Sequence, residues 1–591
     1  MSPRNAADGD GTAPLVGPLP KGTLGAALSR YVASLSDDRL SLVVSAVLFA
    51  LAAWPLLLVE VPPFQDLPNH LATVTVIDNP QLYPEFAFNG FLKTNAALFA
   101  WLVFAGRVVG VKLAAKLFTA MVLAVGSLVY PRFILEVAGR KKMLVASLFV
   151  WPMIHNWFVS MGMLDFALGV PLSLATLLFV KRVIEKPTPS AAVGVVLASL
   201  ATWYAHVFAL LVVLGLVAFH FLERAARAHF ERRGVWKGAS QALPSTPHGA
   251  WRAIALLTPA AVATAVALFV HLTEPPGMMS ANLKRELFLS FWELVYNMWA
   301  EWAWGFTKLS ITSLVPCVVL GLVLLFHLRS RRGTASPLFF STAVFVVLAA
   351  GYVFGWYEVT NWFHVNSRVI PFLWIAMLLR VPERLPRAVV SLLALSAVLY
   401  SAGMGYDYVR LDRERLEFTA GMSVVPDNAR LLPLVSRGKH TSENTRNLLH
   451  AWGFYVAEKK TSAPLLFAHS RSFPVMYRDP PPVRFNHLML EGFAMNMAHP
   501  RALCGGLYNT NIQVGDCPAM WHTLWQDFWR EAEPHYTHVL LWDAAEEVKA
   551  EVPPHYKVVY ASGHLTIYER PGTALPAPKA PPAALVNEPS R

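Results

Sequence analysis

An acidic and an imidazole side chain, Asp66 and His70, lie four residues apart in a short polar segment that follows a long apolar run. The segment reads Val61-Pro-Pro-Phe-Gln-Asp-Leu-Pro-Asn-His70. If a helix begins at Pro68, with proline in its first turn, His70 lies on that helix and Asp66 just before it. Both side chains can then converge on a metal ion or on a hydroxyl group. An alternative, that Asp66 only caps the helix, stays equally open.

Six further ionisable residues fall at the ends of apolar runs or in the connections between them: His155, Asp165, His206, Glu301, His364 and Arg368. Ionisable groups at membrane depth are costly and usually face a cavity or a partner, so these residues are candidate substrate-binding groups. An arginine at the mouth of a helix bundle suits a phosphate through bidentate hydrogen bonds. Each residue taken singly could instead pair with a neighbour or a backbone carbonyl.

The elements that position these groups are membrane helices. Of the 591 residues, 55% are hydrophobic and only 15% charged, and the mean hydropathy is +0.42, whereas soluble domains carry about 25% charged residues. The net charge of +12 comes from Lys and Arg clusters between apolar runs, where membrane proteins place them. Nucleic acid is therefore excluded as a partner.

About eleven runs are apolar enough to cross a membrane, which takes about 20 residues as a helix. The sequence thus predicts a polytopic α-helical membrane protein. The predicted spans are 40–60, 113–137, 143–158, 162–181, 189–204, 205–223, 252–272, 311–328, 337–355, 367–380 and 386–404.

Basic residues set the predicted orientation. With a cytoplasmic N-terminus, every cytoplasmic connection is positive, beginning with Arg140-Lys141-Lys142 and ending with Arg380 to Arg387. Residues 96–110 must then lie at the outer interface rather than span. The candidate site residues all fall on the outer side, in or beside the first outer loop (61–112) and the later outer connections.

The predicted domains are a disordered cytoplasmic N-terminus (1–38), a membrane domain (39–404), a small extracytoplasmic α/β domain (405–570) and a disordered tail (571–591). Cys504 and Cys517 are expected to form a disulfide in an oxidising compartment, with two free thiols as the alternative. The α/β domain lacks the common catalytic motifs and therefore looks like a lid or recognition module. Its predicted strands are 429–435, 464–469, 538–543, 557–560 and 565–568, and its predicted helices are 441–459 and 518–533.

Four elements follow one another in the first part of the chain. They are a first span, an outer loop carrying Gln65-Asp66-Leu67-Pro68-Asn69-His70, a juxtamembrane helix and a second span ending in Gly139-Arg140-Lys141-Lys142. This order resembles the GT-C superfamily over roughly residues 40–404. These membrane glycosyltransferases use polyprenyl-phosphate-linked sugars and include protein O-mannosyltransferases and the aminoarabinose transferase of lipid A.

The resemblance implies a hexosyl or pentosyl transferase of the bacterial inner membrane, with the C-terminal domain periplasmic. Its partners would be a lipid-linked sugar donor, membrane lipids and an envelope acceptor, with Arg368 and His206 on the donor phosphate. In the family the loop Asp serves as general base or metal ligand, a role that falls on Asp66, with His70 beside it on Mg²⁺ or Mn²⁺. Many members carry two adjacent carboxylates in this loop, but Leu67 follows Asp66 here, which leaves a metal-independent enzyme open. The second group would be His70, Asp78, Glu85 or Asp165.

A non-enzymatic protein is the competing class. A transporter would be expected to show internal repeats, which the sequence does not display. A scaffold for envelope assembly would not require Asp66, His206 or Arg368.

Overall fold

The computed structural model describes residues 30–233, 247–273, 286–330, 338–359, 363–437, 441–468, 470–478, 485, 487–509 and 515–572. Most of the predicted N-terminal segment and of the C-terminal tail lies outside the described residues, as do parts of two basic connections.

Among the described residues, seven helices are long and apolar enough to cross a membrane, or eight if one bent pair counts as a single span. The chain is therefore a multi-pass membrane protein, and all the predicted spans contain helix. A crossing by eleven helices stays a prediction, because four apolar helices are shorter: Ala97–Val109, Pro189–Ala205, Thr342–Phe354 and Ser367–Leu378. The seven long helices are Asp37–Leu58, Val111–Ala138, Leu164–Glu185, Val207–Arg232, Gly249–Val270, Lys308–Phe326 and Arg387–Val424.

The third predicted span is broken. Its two helical parts, Arg140–Ser147 and Trp151–Met161, are bent by 72°. Within the second part, the Asn156 side chain accepts a hydrogen bond from the Val159 amide at 3.2 Å and restarts the helix. The helix then ends at Gly162 in the left-handed conformation. This break places the end of the second part, at Met161 and Gly162, against the first outer loop.

The first outer loop is ordered and rich in secondary structure. It contains a helix at Leu67–Asp78, here called the first-loop helix, a strand at Phe86–Phe88 and a helix at Ala97–Val109. The last of these covers most of residues 96–110, whose interfacial position stays a prediction, and packs on the first-loop helix and on Val111–Ala138. Arg107 on it pairs with Asp78 at 2.6 Å.

The C-terminal domain contains a four-stranded sheet in the order Leu431–Val435, His538–Trp542, Leu565–Glu569 and Lys557–Ser562. The first pair is parallel and the other two are antiparallel. The domain also contains helices at Gly453–Lys459, His487–Asn496, Pro500–Asn509, Cys517–Ala532 and Glu546–Glu551. Four of the five predicted strands and the second predicted helix are confirmed.

Two predicted elements of this domain are wrong. Residues 464–468 form no strand, because the Asn69 side chain bonds the Leu465 carbonyl and the Phe467 amide in place of a ladder partner. The predicted helix 441–459 is helical only from Gly453. Before that point, the amides of Glu443 and Asn444 both donate to the Phe306 carbonyl.

The membrane part and the C-terminal domain are continuous. The helix Arg387–Thr419 crosses the boundary predicted at residue 404, and strand Phe86–Phe88 of the first loop pairs antiparallel with Val475–Tyr477. Ala72, Val76 and Tyr83 of the first loop belong to the same buried core as Trp525 of the C-terminal domain. The first outer loop is thus built into the C-terminal domain.

Candidate active site

A cavity of about 910 Å³ lies between the first-loop helix, the ends of the membrane helices and the C-terminal domain. Seven of the eight predicted catalytic and binding residues line it: Asp66, His70, Asp165, His206, Glu301, His364 and Arg368. The eighth, His155, does not. Its Nε2 lies 2.8 Å from the Tyr408 hydroxyl, and its carbonyl accepts from Tyr400 at 2.8 Å, so it holds buried helices together.

Asp66 is positioned by the end of the broken third span. Its amide donates to the Met161 carbonyl at 2.9 Å, and Gly162 lies directly against its backbone. Asp66 stands at the N-cap position of the first-loop helix, but its side chain makes no capping hydrogen bond. The interpretation of Asp66 as a mere cap is therefore wrong, and its carboxylate is available to the cavity.

The carboxylate of Asp66 faces a histidine of the C-terminal domain. Its Oδ1 lies 3.0 Å from Nδ1 of His450, and Nε2 of His450 lies 3.1 Å from Oε1 of Glu491. Burial opposes the charge on His450, but Glu491 and Asp66 outweigh it and raise the pKa of His450 to about 10. The two carboxylates therefore favour the protonated form of His450.

Sequence reasoning missed both His450 and Glu491. The C-terminal domain was expected to act as a lid or recognition module, yet it contributes these side chains to the centre of the site. Glu491 is a further carboxylate of the site, on the opposite side of His450 from Asp66. Of the predicted alternatives, Asp165 lines the cavity, whereas Asp78 and Glu85 do not.

His70 presents a neutral imidazole to the same cavity. Burial lowers its pKa to about 4, although Asp66 acts in the opposite direction. Its Nδ1 is buried and has no hydrogen-bond partner among the described residues. The ring packs edge-on against Phe99, with the ring centres 5.0 Å apart. This orphaned nitrogen is suited to a polar group of a ligand.

The other polar residues of the first-loop motif attach it to the C-terminal domain. Gln65 Oε1 accepts from the Arg446 amide at 2.8 Å, and Asn69 Nδ2 donates to the Leu465 carbonyl at 3.0 Å. The α-carbon of Gly453 lies so close to the Pro68 carbonyl that a β-carbon would not fit. These contacts fix the distance between Asp66 and His450.

Arg368 supplies unpaired donors to another part of the cavity. Its Nε and Nη1 are buried without a hydrogen-bond partner among the described residues, and its guanidinium lies 5.9 Å from the centre of the Phe166 ring. Nearby, Nδ1 of His206 accepts from the Phe208 amide at 3.1 Å, so a neutral His206 carries its proton on Nε2. Both residues can therefore donate to an anion.

Glu301 is held as a carboxylate by three neighbours. It accepts from the Tyr357 hydroxyl at 2.9 Å and from the Ser367 hydroxyl, and it lies 3.1 Å from Nδ1 of His364. Burial raises the pKa of Glu301, but His364 and the hydrogen bonds from His364, Ser367 and Tyr357 outweigh it, so the net shift is downward. Asp165 has a positional role as well, because its Oδ1 accepts from the Leu98 amide at 2.9 Å in the first turn of helix Ala97–Val109.

The divalent cation suggested for Asp66 and His70 stays a prediction, and the described residues give it no support. They include no group of three or more His, Cys, Asp or Glu side chains placed to hold a metal ion. The nearest charge to Asp66 is instead the imidazolium of His450.

The predicted pair of cysteines is joined by a disulfide between Cys504 and Cys517. It links helix Pro500–Asn509 to the start of helix Cys517–Ala532, and neither cysteine lines the cavity. Cys317 is a free thiol in the membrane part.

No protein-family model and no curated protein matches the chain. The solved structures that align with most of it include two of ArnT from Cupriavidus metallidurans. The one bound to undecaprenyl phosphate is 12% identical with a TM-score of 0.46, and the alignment covers 90% of this chain and 98% of that chain. The apo structure is 12% identical with a TM-score of 0.45, and the coverage is 92% and 98%. The likeness is one of overall arrangement and assigns no residue a role.

Proposed function

We propose that the chain is a membrane glycosyltransferase. It transfers a sugar from a polyprenyl-phosphate donor to a hydroxyl group of an envelope lipid, glycan or protein on the outer side of the bacterial inner membrane. The proposal rests on one observation above the others. A single cavity at the ends of the membrane helices holds both a carboxylate, Asp66, and an arginine, Arg368, with two nitrogens that have no partner among the described residues.

Arg368 is the candidate site for the donor phosphate. Its Nε and Nη1 have no hydrogen-bond partner among the described residues, and their N–H groups can donate to phosphate oxygens from two edges of the guanidinium. The residue lies at the start of the apolar helix Ser367–Leu378. A phosphate bound there would have its lipid tail close to the apolar surfaces of the membrane helices. His206 would add a further hydrogen bond through Nε2.

Asp66 is the candidate general base. Its Oδ1 takes the contacts with His450 and with the Gln65 amide, which leaves Oδ2 for an acceptor hydroxyl. In the proposed step, the acceptor oxygen forms a bond to the anomeric carbon while the bond between that carbon and the phosphate oxygen breaks. The hydroxyl proton passes to Asp66, the bond electrons leave with the polyprenyl phosphate, and the sugar configuration inverts.

The phosphate is a good leaving group, so the protein mainly supplies position and charge. General-base assistance of this kind is worth about 10²–10⁴-fold in rate. Glu301 and its hydrogen-bonded neighbours Tyr357 and His364 line the same cavity. They offer polar contacts to the sugar hydroxyls.

The test compares cells that lack the protein and are complemented with wild type, Asp66→Asn or Asp78→Asn. Asp78 is a matched control, since it lies on the same helix but pairs with Arg107 outside the cavity. Envelope glycolipids, glycans and polyprenyl-phosphate sugars are measured by mass spectrometry. We expect a missing glycoform and an accumulated donor in the deletion, both corrected by wild type and Asp78→Asn only. Equal correction by Asp66→Asn would remove Asp66 as the base and favour a transporter or scaffold.

A further inference from the structure

We propose that Phe166 is a positioning residue of the phosphate subsite. Its ring holds the Arg368 guanidinium apart from the Glu301 carboxylate, which keeps that guanidinium available to the donor. The inference rests on the proposed function and adds to it a residue that acts on the donor through Arg368. Phe166 lies in the first turn of helix Leu164–Glu185, lines the cavity and is only 1% exposed.

Arg368 has a carboxylate close at hand within the protein. The hydroxyl of Ser367, the preceding residue, donates to Oε2 of Glu301. Even so, Arg368 and Glu301 form no ion pair, and Nε and Nη1 of Arg368 have no hydrogen-bond partner among the described residues. Opposite charges attract strongly in a buried site, and a paired guanidinium donates its N–H groups to the carboxylate instead of to a phosphate. Another contact must therefore keep the two groups apart.

The Glu301 carboxylate is fixed by other partners. Its Oε1 accepts from the Tyr357 hydroxyl at 2.9 Å, its Oε2 accepts from Ser367, and Nδ1 of His364 lies 3.1 Å from Oε2. These partners orient the carboxylate, and each hydroxyl takes one of its lone pairs. Arg368 would have to compete with them for the oxygens of Glu301.

The Phe166 ring supplies the contact that Glu301 does not. The guanidinium carbon of Arg368 lies 5.9 Å from the ring centre, a distance at which the face of an aromatic ring attracts a cation. This attraction takes up no N–H group in a hydrogen bond to an oxygen, so Nε and Nη1 stay available. Phe158 packs edge-on against Phe166 with the ring centres 4.6 Å apart, which fixes the ring in place.

The same ring positions the second proposed phosphate donor. His206 packs edge-on against Phe166, with the ring centres 5.0 Å apart and 75° between the ring planes. One turn later on the same helix, a β-carbon at Gly169 would lie 3.1 Å from the β-carbon of His206. Arg368 and His206 come from two different connections of the chain, and they share a contact on helix Leu164–Glu185. Phe166 thus sets the position of both donors.

The first experiment places fluorinated phenylalanines at position 166 by stop-codon suppression and titrates the purified full-length protein with a short-chain polyprenyl phosphate. Fluorine nearly preserves the shape of the ring but withdraws negative charge from its face, so it weakens a cation–π contact and leaves packing intact. We expect trifluorination of Phe166 to weaken binding at least about threefold. The control is the same replacement of Phe179 on the same helix, whose ring lies 5.5 Å from the Arg182 guanidinium and does not line the cavity. Unchanged binding after trifluorination of Phe166 would overturn the inference.

The second experiment repeats the replacement in a Glu301→Gln protein. Without the competing carboxylate, the Arg368 guanidinium no longer needs the ring to stay available, so we expect trifluorination of Phe166 to leave binding unchanged in this background. An equal loss of affinity in both backgrounds would overturn the inference, because Phe166 would then not act by separating Arg368 from Glu301.

Arg368→Ala distinguishes failure of this inference from failure of the proposed function. If Arg368→Ala leaves binding of the polyprenyl phosphate unaltered, the phosphate subsite itself is wrong, and the role of Phe166 is wrong with it. If Arg368→Ala weakens binding and fluorination of Phe166 does not, only the role of Phe166 is wrong.

Discussion

Gly162 and Asp66 are packed backbone to backbone. A β-carbon at Gly162 would lie 3.1 Å from the amide nitrogen of Asp66 and 3.2 Å from its β-carbon. Gly162 also has a φ of +90°, a backbone conformation that residues other than glycine rarely adopt. The position of the proposed base is therefore determined by the absence of a side chain on the third span.

Gly162→Ala should lower kcat by more than tenfold, because the new methyl group pushes Asp66 out of register with His450. The strained φ should also cost about 1–3 kcal/mol of stability. Activity and Tm in detergent test this. Gly215→Ala is the control, since nothing lies within 4 Å of a β-carbon there. Unchanged kcat in Gly162→Ala would show that the position of Asp66 tolerates displacement.

Arg368→Ala should weaken binding of a polyprenyl phosphate at least tenfold, because the two unpaired nitrogens that would hold the phosphate are lost. Arg368→Lys should bind with intermediate affinity, since it keeps the charge but not the separate N–H donors of the guanidinium. Titration of the purified protein with a short-chain polyprenyl phosphate measures both. Arg380→Lys is the control, because that guanidinium donates to the carbonyls of Ala376 and Phe340. Unaltered binding in Arg368→Ala would place the phosphate elsewhere.

The contributions of His450 and His70 to the free energy of unfolding should change with pH in opposite directions. Despite burial, Glu491 and Asp66 raise the pKa of His450 from 6.5 to about 10, so its contribution is complete below pH 6.5 and is lost as the pH rises to 10. Burial lowers the pKa of His70 from 6.5 to about 4, so its contribution is present above pH 6.5 and is lost as the pH falls to 4.

Tm measured from pH 4 to pH 10 tests this expectation. The difference in Tm between wild type and His450→Gln should shrink from pH 6.5 upward, and that between wild type and His70→Gln should shrink from pH 6.5 downward. The control His555→Gln, whose side chain pairs with Glu533 on the surface of the C-terminal domain, should follow the wild type throughout. A His450→Gln difference that is constant up to pH 10 would contradict a charged His450.

The disulfide should be visible by thiol alkylation. Denatured, unreduced protein should take up one equivalent of iodoacetamide, at Cys317, and reduced protein three. Cys504→Ser should lower the free energy of unfolding of the C-terminal domain by about 3 kcal/mol, since a disulfide that closes a loop of about 15 residues contributes about that much. Cys317→Ser should leave that free energy unchanged, because Cys317 takes no part in the disulfide. Three alkylated thiols without reduction would contradict the bond.

Some features of the site follow from local sequence. Pro68 marked the start of the helix that carries His70, and apolar runs placed Asp165, His206 and Arg368 at the ends of helices. His450 and Glu491 could not be found in this way. Residues 441–452 looked helical, but their conformation is set by the Phe306 carbonyl and by Gln65, which lies 381 residues from its partner Arg446. Local propensity carries no information about such contacts.

The attachment of the first loop to the C-terminal domain has a consequence for biosynthesis. The Asn69 side chain donates to the carbonyl of Leu465, which lies 396 residues later in the chain. At about 5–20 residues per second, the ribosome needs about 20–80 s to make that stretch. During this time the first-loop helix is translated and translocated without the domain that covers it. The nascent chain thus lacks His450 until about three quarters of its length has been made, and a product that ends before that point would carry Asp66 without this neighbour.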